Sequence, residues 1–173
     1  MQSARKGLGK AAAAGKNIQR TLKRAASAAA RVTSGAGGGF GYGYGGTRRN
    51  MPWYKKMPDT PFVVDAFCFR DTPTFSHFVL THFHSDHYGG LRSSFNYGTI
   101  YCNSVTAALV QLKLGVARQY LRVLPMNAPT VVEGVEVTLL DANHCPGSAM
   151  VLFRLKTGKT YLHVGAYPCS LRM

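Results

Sequence analysis

The chain has 173 residues, the length of about one domain, and its 21 Lys and Arg against 7 Asp and Glu give a formal net charge of +14. Residues 1–50 hold ten of the basic residues and no acid, so this segment carries +10 and residues 51–173 carry only +4. No run of about 18 or more apolar residues occurs, which excludes a membrane-spanning helix. The four cysteines form no CxxC pair, which argues against a disulfide scaffold and suits a reducing compartment.

The basic N-terminal segment divides into two parts. Residues 1–34 are rich in Ala, Lys and Arg, and residues 35–46 read GAGGGFGYGYGG. Glycine-rich sequence buries too little apolar surface to offset its backbone entropy, so we predict a disordered basic tail and linker over residues 1–50. Five basic residues, which accompany a weak helical stripe, are weak candidates for nucleic-acid binding: Lys16, Arg20, Lys23, Arg24 and Arg31.

Three interpretations of this tail stay open on composition alone. A basic arm binds phosphate backbones through counterion release, and similar segments act as nuclear localisation patches. An acid-free amphipathic N-terminus that contains Arg and Ala is also typical of an organelle transit peptide. The third interpretation is a solvated tail with no specific role. We expect a nuclear location, with a chloroplast or mitochondrion as the alternative.

From Met51 onward, short β-branched and aromatic runs alternate with Gly, Pro and Asn. These runs predict strands over residues 62–69, 77–81, 99–102, 120–125, 135–142, 149–155 and 160–165. A helix is predicted over residues 104–114, with Ser104 as its N-cap, and a shorter helix over residues 89–95. Many short strands with few helices predict an α/β fold in which sheets pack together in layers.

The stretch LTHFHSDHYGG, at residues 80–90, directly follows a predicted strand and carries four metal-binding side chains, His82, His84, Asp86 and His87. In an extended chain, alternation puts His82, His84 and Asp86 on one face. In a loop, two imidazoles can share one metal while Asp86 and His87 turn toward a second. Imidazole and carboxylate are suitable ligands for Zn²⁺ or Mn²⁺. The spacing therefore predicts a metal site.

A second stretch, LLDANHCPGSAM at residues 139–150, follows another predicted strand. His144 in its loop is predicted to supply a third imidazole to the first metal. Cys145 is able to act as a soft ligand, but a small buried residue is the favoured interpretation. His77 lies in a strand-like run, and His163 in LHVG is able to face either the core or the site; both are interpreted as structural.

Together, THFHSDH and DANHCPG resemble the metallo-β-lactamase superfamily, and within it the β-CASP branch of DNA cross-link repair exonucleases. These stretches resemble the Pso2-like and cross-link-repair 1A-like members more than Artemis, and VDAF at residues 64–67 supports the assignment to this branch. The short HxHxDH pattern alone is shared with ribonuclease Z and glyoxalase II. Over residues 51–165, the resemblance implies the N-terminal half of an αββα metallo-β-lactamase sandwich.

The resemblance also implies a site and an activity. The implied ligands are His82, His84 and His144 for the first metal and Asp86 and His87, which are also the implied catalytic residues, for the second. Asp65 is implied to orient the site from behind the ligands. The implied cofactor is Zn²⁺, as one or two ions, with Mn²⁺ or Mg²⁺ as alternatives. The implied activity is a metal-dependent 5′-to-3′ exodeoxyribonuclease in interstrand cross-link and double-strand break repair, acting on 5′-phosphorylated single strands or damaged DNA ends, with no membrane partner.

The resemblance stops after Gly165. The family continues with an Asp-Phe-Arg segment whose Asp is a metal ligand, and this chain has Ala166 at that position. We therefore expect residues 51–165 to be a partial domain and residues 166–173 to be an unrelated tail. Two alternative functions follow: a catalytically inactive truncated fragment whose tail binds nucleic acid, or another metallo-β-lactamase hydrolase such as a ribonuclease Z-like enzyme.

Overall fold

The computed structural model describes residues 49–165. The predictions for the tail over residues 1–48, including its five candidate nucleic-acid-binding residues, and for residues 166–173, including Ala166, lie outside the described residues. The strands are β1 (Phe62–Val64), β2 (His77–Val79), β3 (Thr99–Cys102), β4 (Leu121–Val123), β5 (Thr130–Val132), β6 (Val135–Asp141), β7 (Ala149–Arg154) and β8 (Thr160–His163). The helices are α1 (Ser85–Tyr88) and α2 (Ser104–Leu109), which continues as a π-helix over Val110–Leu114, and 3-10 turns lie at Trp53–Lys55, Thr72–Thr74 and Arg118–Tyr120.

The strands form two sheets of four. The first sheet is parallel, in the order β1-β2-β3-β4, and the second is antiparallel, in the order β5-β6-β7-β8. Successive hydrophobic side chains of β1 point to opposite faces of the first sheet. Phe62 and Val64 pack in a core with the second sheet, whereas Val63 packs in a separate core with residues of α2. The predicted α/β class with packed sheets is confirmed.

Large side chains from both sheets fill the core between them. Phe62 and Phe153, from β1 and β7, are almost fully buried and have ring centroids 5.5 Å apart. Burying each such side chain contributes about 1.5–3 kcal/mol. This core holds the loop between β6 and β7 close to the carboxyl ends of β1 and β2.

The first predicted strand is shorter than expected. β1 ends at Val64 because Asp65 has a φ of 49°, in the left-handed region, which takes the chain out of the sheet. The predicted helix over residues 89–95 is wrong, since the helix lies at Ser85–Tyr88, inside the histidine motif. Gly90, with a φ of 93°, does not continue it, and a Cβ at Gly90 would lie 2.5 Å from the carbonyl oxygen of Phe67.

Two further differences concern α2 and the second sheet. The N-cap is Asn103 rather than Ser104, because the Asn103 side chain accepts a hydrogen bond from the Thr106 backbone N–H at 2.9 Å. The helical segment does extend to Leu114 as predicted, and Gly115 ends it with a φ of 69°. Strand β5 was not predicted, because its three residues pair with β6 across a tight turn at Glu133 and Gly134.

Candidate metal centre

Four segments of the chain meet at the carboxyl ends of the first two parallel strands. Asp65 directly follows β1, and His82 and His84 follow β2. Helix α1 carries Asp86 and His87, and the loop between β6 and β7 carries His144. Because β1 and β2 are adjacent and parallel, with Val64 paired to Val79, the residues that follow both strands emerge side by side.

Three imidazoles converge on one point. His82 Nε2 lies 3.0 Å from His84 Nδ1, and His144 Nε2 lies 3.2 Å from the same His84 atom. Zn–N bonds of about 2.0–2.1 Å in a tetrahedral site place ligand nitrogens about 3.3 Å apart. One ligand atom from each histidine, together with Cys145 Sγ, lies within 4.8 Å of every other. The donor set therefore fits a transition metal that prefers nitrogen and sulfur ligands.

Two of the three imidazoles, those of His82 and His84, lie in an environment that favours their neutral, metal-binding form. His82 is 1% exposed, and burial lowers its pKa to about 4, with the neighbouring His87 and His84 contributing. The pKa of His84 is also lowered, first by burial and then by His144. Neutral imidazole is the protonation state that binds a metal ion.

Asp65 lies behind the cluster and accepts hydrogen bonds from two residues. Its Oδ1 accepts from the Thr81 backbone N–H at 2.9 Å, and its Oδ2 lies 2.8 Å from Thr81 Oγ1 and 2.7 Å from His87 Nδ1. Burial raises the pKa of this carboxyl group, but the contacts with His87 and Thr81 outweigh burial and hold the pKa below its ordinary value. Asp65 is thus placed to orient histidine side chains.

Asp86 and His87 form a separate pair beside the three imidazoles. Asp86 Oδ2 lies 3.4 Å from His87 Nε2, and the Asp86 side chain is 70% exposed. Since His87 Nδ1 faces Asp65, Nε2 is the ring atom left for a metal or substrate. The His87 ring centroid lies 4.0 Å from that of His82, so the pair borders the first site.

The structure places two further residues at this cluster, Cys145 and Thr81, which the sequence did not single out as ligands or orienting residues. Cys145 is half-buried, with its sulfur among the histidine donors, and burial raises the pKa of its thiol. Its position next to His144 was the available signal. Thr81 is fully buried and contacts both Asp65 and His82, but nothing in the spacing of HxHxDH points to the residue before the motif.

The two histidines interpreted as structural differ in position. His77 Nδ1 lies 3.1 Å from the Tyr101 hydroxyl and its ring stacks on that of Tyr101, in the first sheet. His163 accepts a hydrogen bond from the Gly165 backbone N–H at 3.2 Å. Its pKa is lowered by burial, which outweighs the opposing effect of the Asp65 charge.

A cleft of about 410 Å³ opens beside His144. Its walls are residues 103–105, at the start of α2, residue 141, at the end of β6, and residues 143–148, in the loop that carries His144, together with Met126. The Asn103 side chain donates a hydrogen bond to the Gly147 carbonyl, and Thr106 Oγ1 donates to the same oxygen at 3.0 Å. These bonds fix the loop that carries His144 to the amino end of α2.

The chain is similar to known DNA cross-link repair proteins. It is 48% identical over 123 residues to the chicken DNA cross-link repair 1A protein, covering 71% of this chain and 13% of that protein. It is 45% identical over 125 residues to the Arabidopsis thaliana DNA cross-link repair protein SNM1, covering 72% and 26%. It is 38% identical over 129 residues to the zebrafish 5′ exonuclease Apollo, covering 69% and 22%. The chain thus spans between about an eighth and a quarter of these relatives.

No protein-family model matches the chain. Among solved structures, a subclass B3 metallo-β-lactamase from a soil metagenome library aligns with a TM-score of 0.39 and 17% identity, over 51% of this chain and 40% of that one. The sequence similarity to the repair proteins covers about 70% of the chain at 37–48% identity. Over that part of its length, the chain is therefore homologous to a segment of the DNA cross-link repair proteins, and the resemblance of its sequence to these proteins is confirmed.

Proposed function

We propose that this chain is part of a metal-dependent DNA-repair nuclease that removes nucleotides from the 5′ end of DNA. One observation carries the proposal: His82, His84 and His144 direct three ring nitrogens at one point in a chain homologous to DNA cross-link repair proteins. Two of the three follow β2, and the third comes from a loop 60 residues away along the chain. A hydrolytic metal centre accounts for such convergence.

We propose Zn²⁺ as the metal. Three imidazoles with a thiol nearby suit Zn²⁺, whereas Mg²⁺ prefers an octahedral set of oxygen ligands. His82, His84 and His144 would hold the first ion. Asp86 and His87 would contribute to a second, and both belong to α1, so a single short helix supplies that pair. Mn²⁺ accepts both imidazole and carboxylate and is the alternative for this second position.

The chain's own residues define how the site works. A divalent metal held by these residues would supply a nucleophile from water at neutral pH and a counter-charge for a phosphoryl oxygen. Asp65 accepts a hydrogen bond from His87 Nδ1–H and thereby directs His87 Nε2 away from the carboxylate. The exposure of Asp86 beside His87 supports a role in which its carboxylate accepts a proton from water. We assign the catalytic roles to Asp86 and His87 on this placement.

DNA is the proposed partner, with 5′-phosphorylated single strands or damaged ends as substrates. The +10 charge of residues 1–50 supports a contribution of the tail to phosphate binding. We infer a nuclear location from the repair role named for the relatives, and targeting to an organelle is the alternative that the same tail composition allows. Attaching residues 1–50 to a fluorescent protein and imaging cells separates these two destinations.

The nuclease proposal is tested with the full chain loaded with Zn²⁺ or Mn²⁺ and a single-stranded DNA labelled at its 3′ end. We expect shortening from the 5′ end when that end is phosphorylated, and no shortening with His82→Ala. DNA binding without digestion would overturn the proposal in favour of the inactive-fragment alternative. Turnover of a precursor tRNA or a thioester, with DNA left intact, would replace it with another hydrolase activity of the same superfamily.

A further inference from the structure

Thr81 lies at the centre of the buried hydrogen bonds behind the candidate metal centre. Its hydroxyl Oγ1 lies 2.8 Å from Asp65 Oδ2 and 2.9 Å from His82 Nδ1. Its backbone N–H donates to Asp65 Oδ1, and its carbonyl accepts from the Ala149 N–H at 3.0 Å. Both Thr81 and His82 are buried, at 0% and 1% exposure. Every polar group of Thr81 is therefore engaged within the protein.

Thr81 Oγ1 also lies 3.5 Å from His87 Nδ1, and the two shorter of its three contacts determine where its single hydrogen goes. A carboxylate oxygen only accepts hydrogen bonds, so the 2.8 Å contact with Asp65 Oδ2 requires Thr81 to donate its hydrogen there. Oγ1 then has only lone pairs to offer His82 Nδ1, 2.9 Å away. His82 must donate at that contact, which requires a hydrogen on Nδ1. If Thr81 instead donated its hydrogen to His82 Nδ1, lone pairs of Oγ1 and of Asp65 Oδ2 would face each other 2.8 Å apart.

We propose that Thr81 is a positioning residue that links Asp65 to His82. Its hydroxyl donates a hydrogen bond to the Asp65 carboxylate and accepts one from His82, and so holds His82 in its Nδ1–H tautomer. A hydrogen on Nδ1 leaves the lone pair of Nε2 bare, and Nε2 is the atom that lies 3.0 Å from His84 Nδ1 in the donor cluster. Asp65 acts directly on His87 and through Thr81 on His82. One buried carboxylate therefore sets the tautomers of two histidines.

The test uses the full metal-free chain labelled with ¹⁵N in its histidines. Long-range ¹H–¹⁵N correlations distinguish the protonated from the bare ring nitrogen of His82. We expect a hydrogen on Nδ1 in the wild type and in Thr81→Ser, which keeps the hydroxyl. In Thr81→Val, which has the same shape without the hydroxyl, we expect a mixture of tautomers or the Nε2–H form.

Zn²⁺ affinity, measured by competition with a chelator, gives the second readout. Losing such an outer hydrogen bond typically weakens metal binding about 10–100-fold, so we expect that loss in Thr81→Val and near-wild-type affinity in Thr81→Ser. Only this readout rests on the proposed metal centre. A wild-type chain with His82 in the Nε2–H form would overturn the proposed link through Thr81. This wild-type measurement tests the proposal even when Thr81→Val does not fold. Equal affinity losses in both variants would overturn it as well. Failure of Zn²⁺ to bind any chain would contradict the proposed function alone.

Discussion

Asp65 Oδ2 and His87 Nδ1 lie 2.7 Å apart, although 22 residues separate them in the chain. The contact exists because β1 and β2 pair in parallel, so that the residues after their carboxyl ends become neighbours. Asp65 leaves β1 with a left-handed backbone, and this turn directs its carboxylate beneath the histidine loop. The acid is buried while His87 keeps 15% of its side chain exposed, as a residue between the core and a solvent-facing site must.

Replacing Asp65 with Asn tests the orienting role of this carboxylate. Asn keeps the shape but has an NH₂ group in place of one carboxylate oxygen, so at least one of the three buried hydrogen bonds that Asp65 accepts is lost. We expect Zn²⁺ affinity to fall about 10–100-fold and the free energy of unfolding to fall by about 1–3 kcal/mol. Chelator competition and urea unfolding measure the two effects.

Asp71→Asn is the matched control. Asp71 also accepts a backbone hydrogen bond, from Met51 at 2.7 Å, and pairs with Lys56, but it lies outside the donor cluster. Its loss should cost stability without changing metal affinity. Equal Zn²⁺ binding by wild type and Asp65→Asn would contradict the orienting role.

Removing the loop histidine should separate metal binding from folding. In His144→Ala one of the three imidazoles is lost, so we expect Zn²⁺ binding by calorimetry to weaken at least 10-fold with little change in melting temperature. His77→Ala is the control, because His77 contacts Tyr101 rather than the cluster. It should lower the melting temperature and leave Zn²⁺ binding intact. Unchanged Zn²⁺ binding in His144→Ala together with weakened binding in His77→Ala would place the metal elsewhere.

Gly147 is required by the loop that carries His144. A Cβ there would lie 2.8 Å from Val105 Cβ and 3.0 Å from Asn103 Oδ1, and its φ is 80°. We expect Gly147→Ala to lose about 1–2 kcal/mol from backbone strain and about 1–3 kcal/mol more from overpacking. Gly158→Ala, with a φ of 86° but nothing within 4 Å, should show the strain alone. Denaturant unfolding measures both, and equal losses would rule out the steric contribution.

Asp59 should make stability depend on pH in the acid range. Hydrogen bonds from Lys159, at 2.8 Å, and from Tyr161, at 3.0 Å, lower the pKa of its carboxyl group. Because the pKa is lower in the folded state, the stabilisation is fully present above the unfolded pKa of about 3.9 and is lost as pH falls through the folded pKa. At neutral pH the wild type should therefore have a higher melting temperature than Asp59→Asn, and this difference in melting temperature should vanish in strong acid. A difference independent of pH would exclude the ionised carboxyl as its cause.

The charged tail gives a prediction for DNA binding. Replacing Lys16, Arg20, Lys23, Arg24 and Arg31 with Gln in the full chain should reduce the salt dependence of binding to single-stranded DNA. The slope of log affinity against log salt should shrink by about 0.7 for each phosphate that the tail no longer neutralises. Fluorescence anisotropy over a range of NaCl concentrations measures it. An unchanged slope would favour the targeting or solvated-tail interpretations.

Local pattern was sufficient to predict many parts of this molecule. Alternation and β-branched composition located seven of the eight strands in the part of the chain that the structure describes, and HxHxDH with NHCPG predicted a metal site. Strand β5 and the correct short helix were not predicted, because they depend on a tight turn and on how Gly90 packs against Phe67. The charge of the tail follows directly from composition.

By itself, the sequence determined which residue types are available for metal chemistry and the close spacing of His82, His84, Asp86 and His87. Only the tertiary structure decided that His144 comes within 3.2 Å of His84 and that Thr81 lies between Asp65 and His82. The physical reason is that ligand spacing within a loop is local. Contacts across 60 residues, by contrast, depend on the register of β1 and β2 and on the packing of the two sheets.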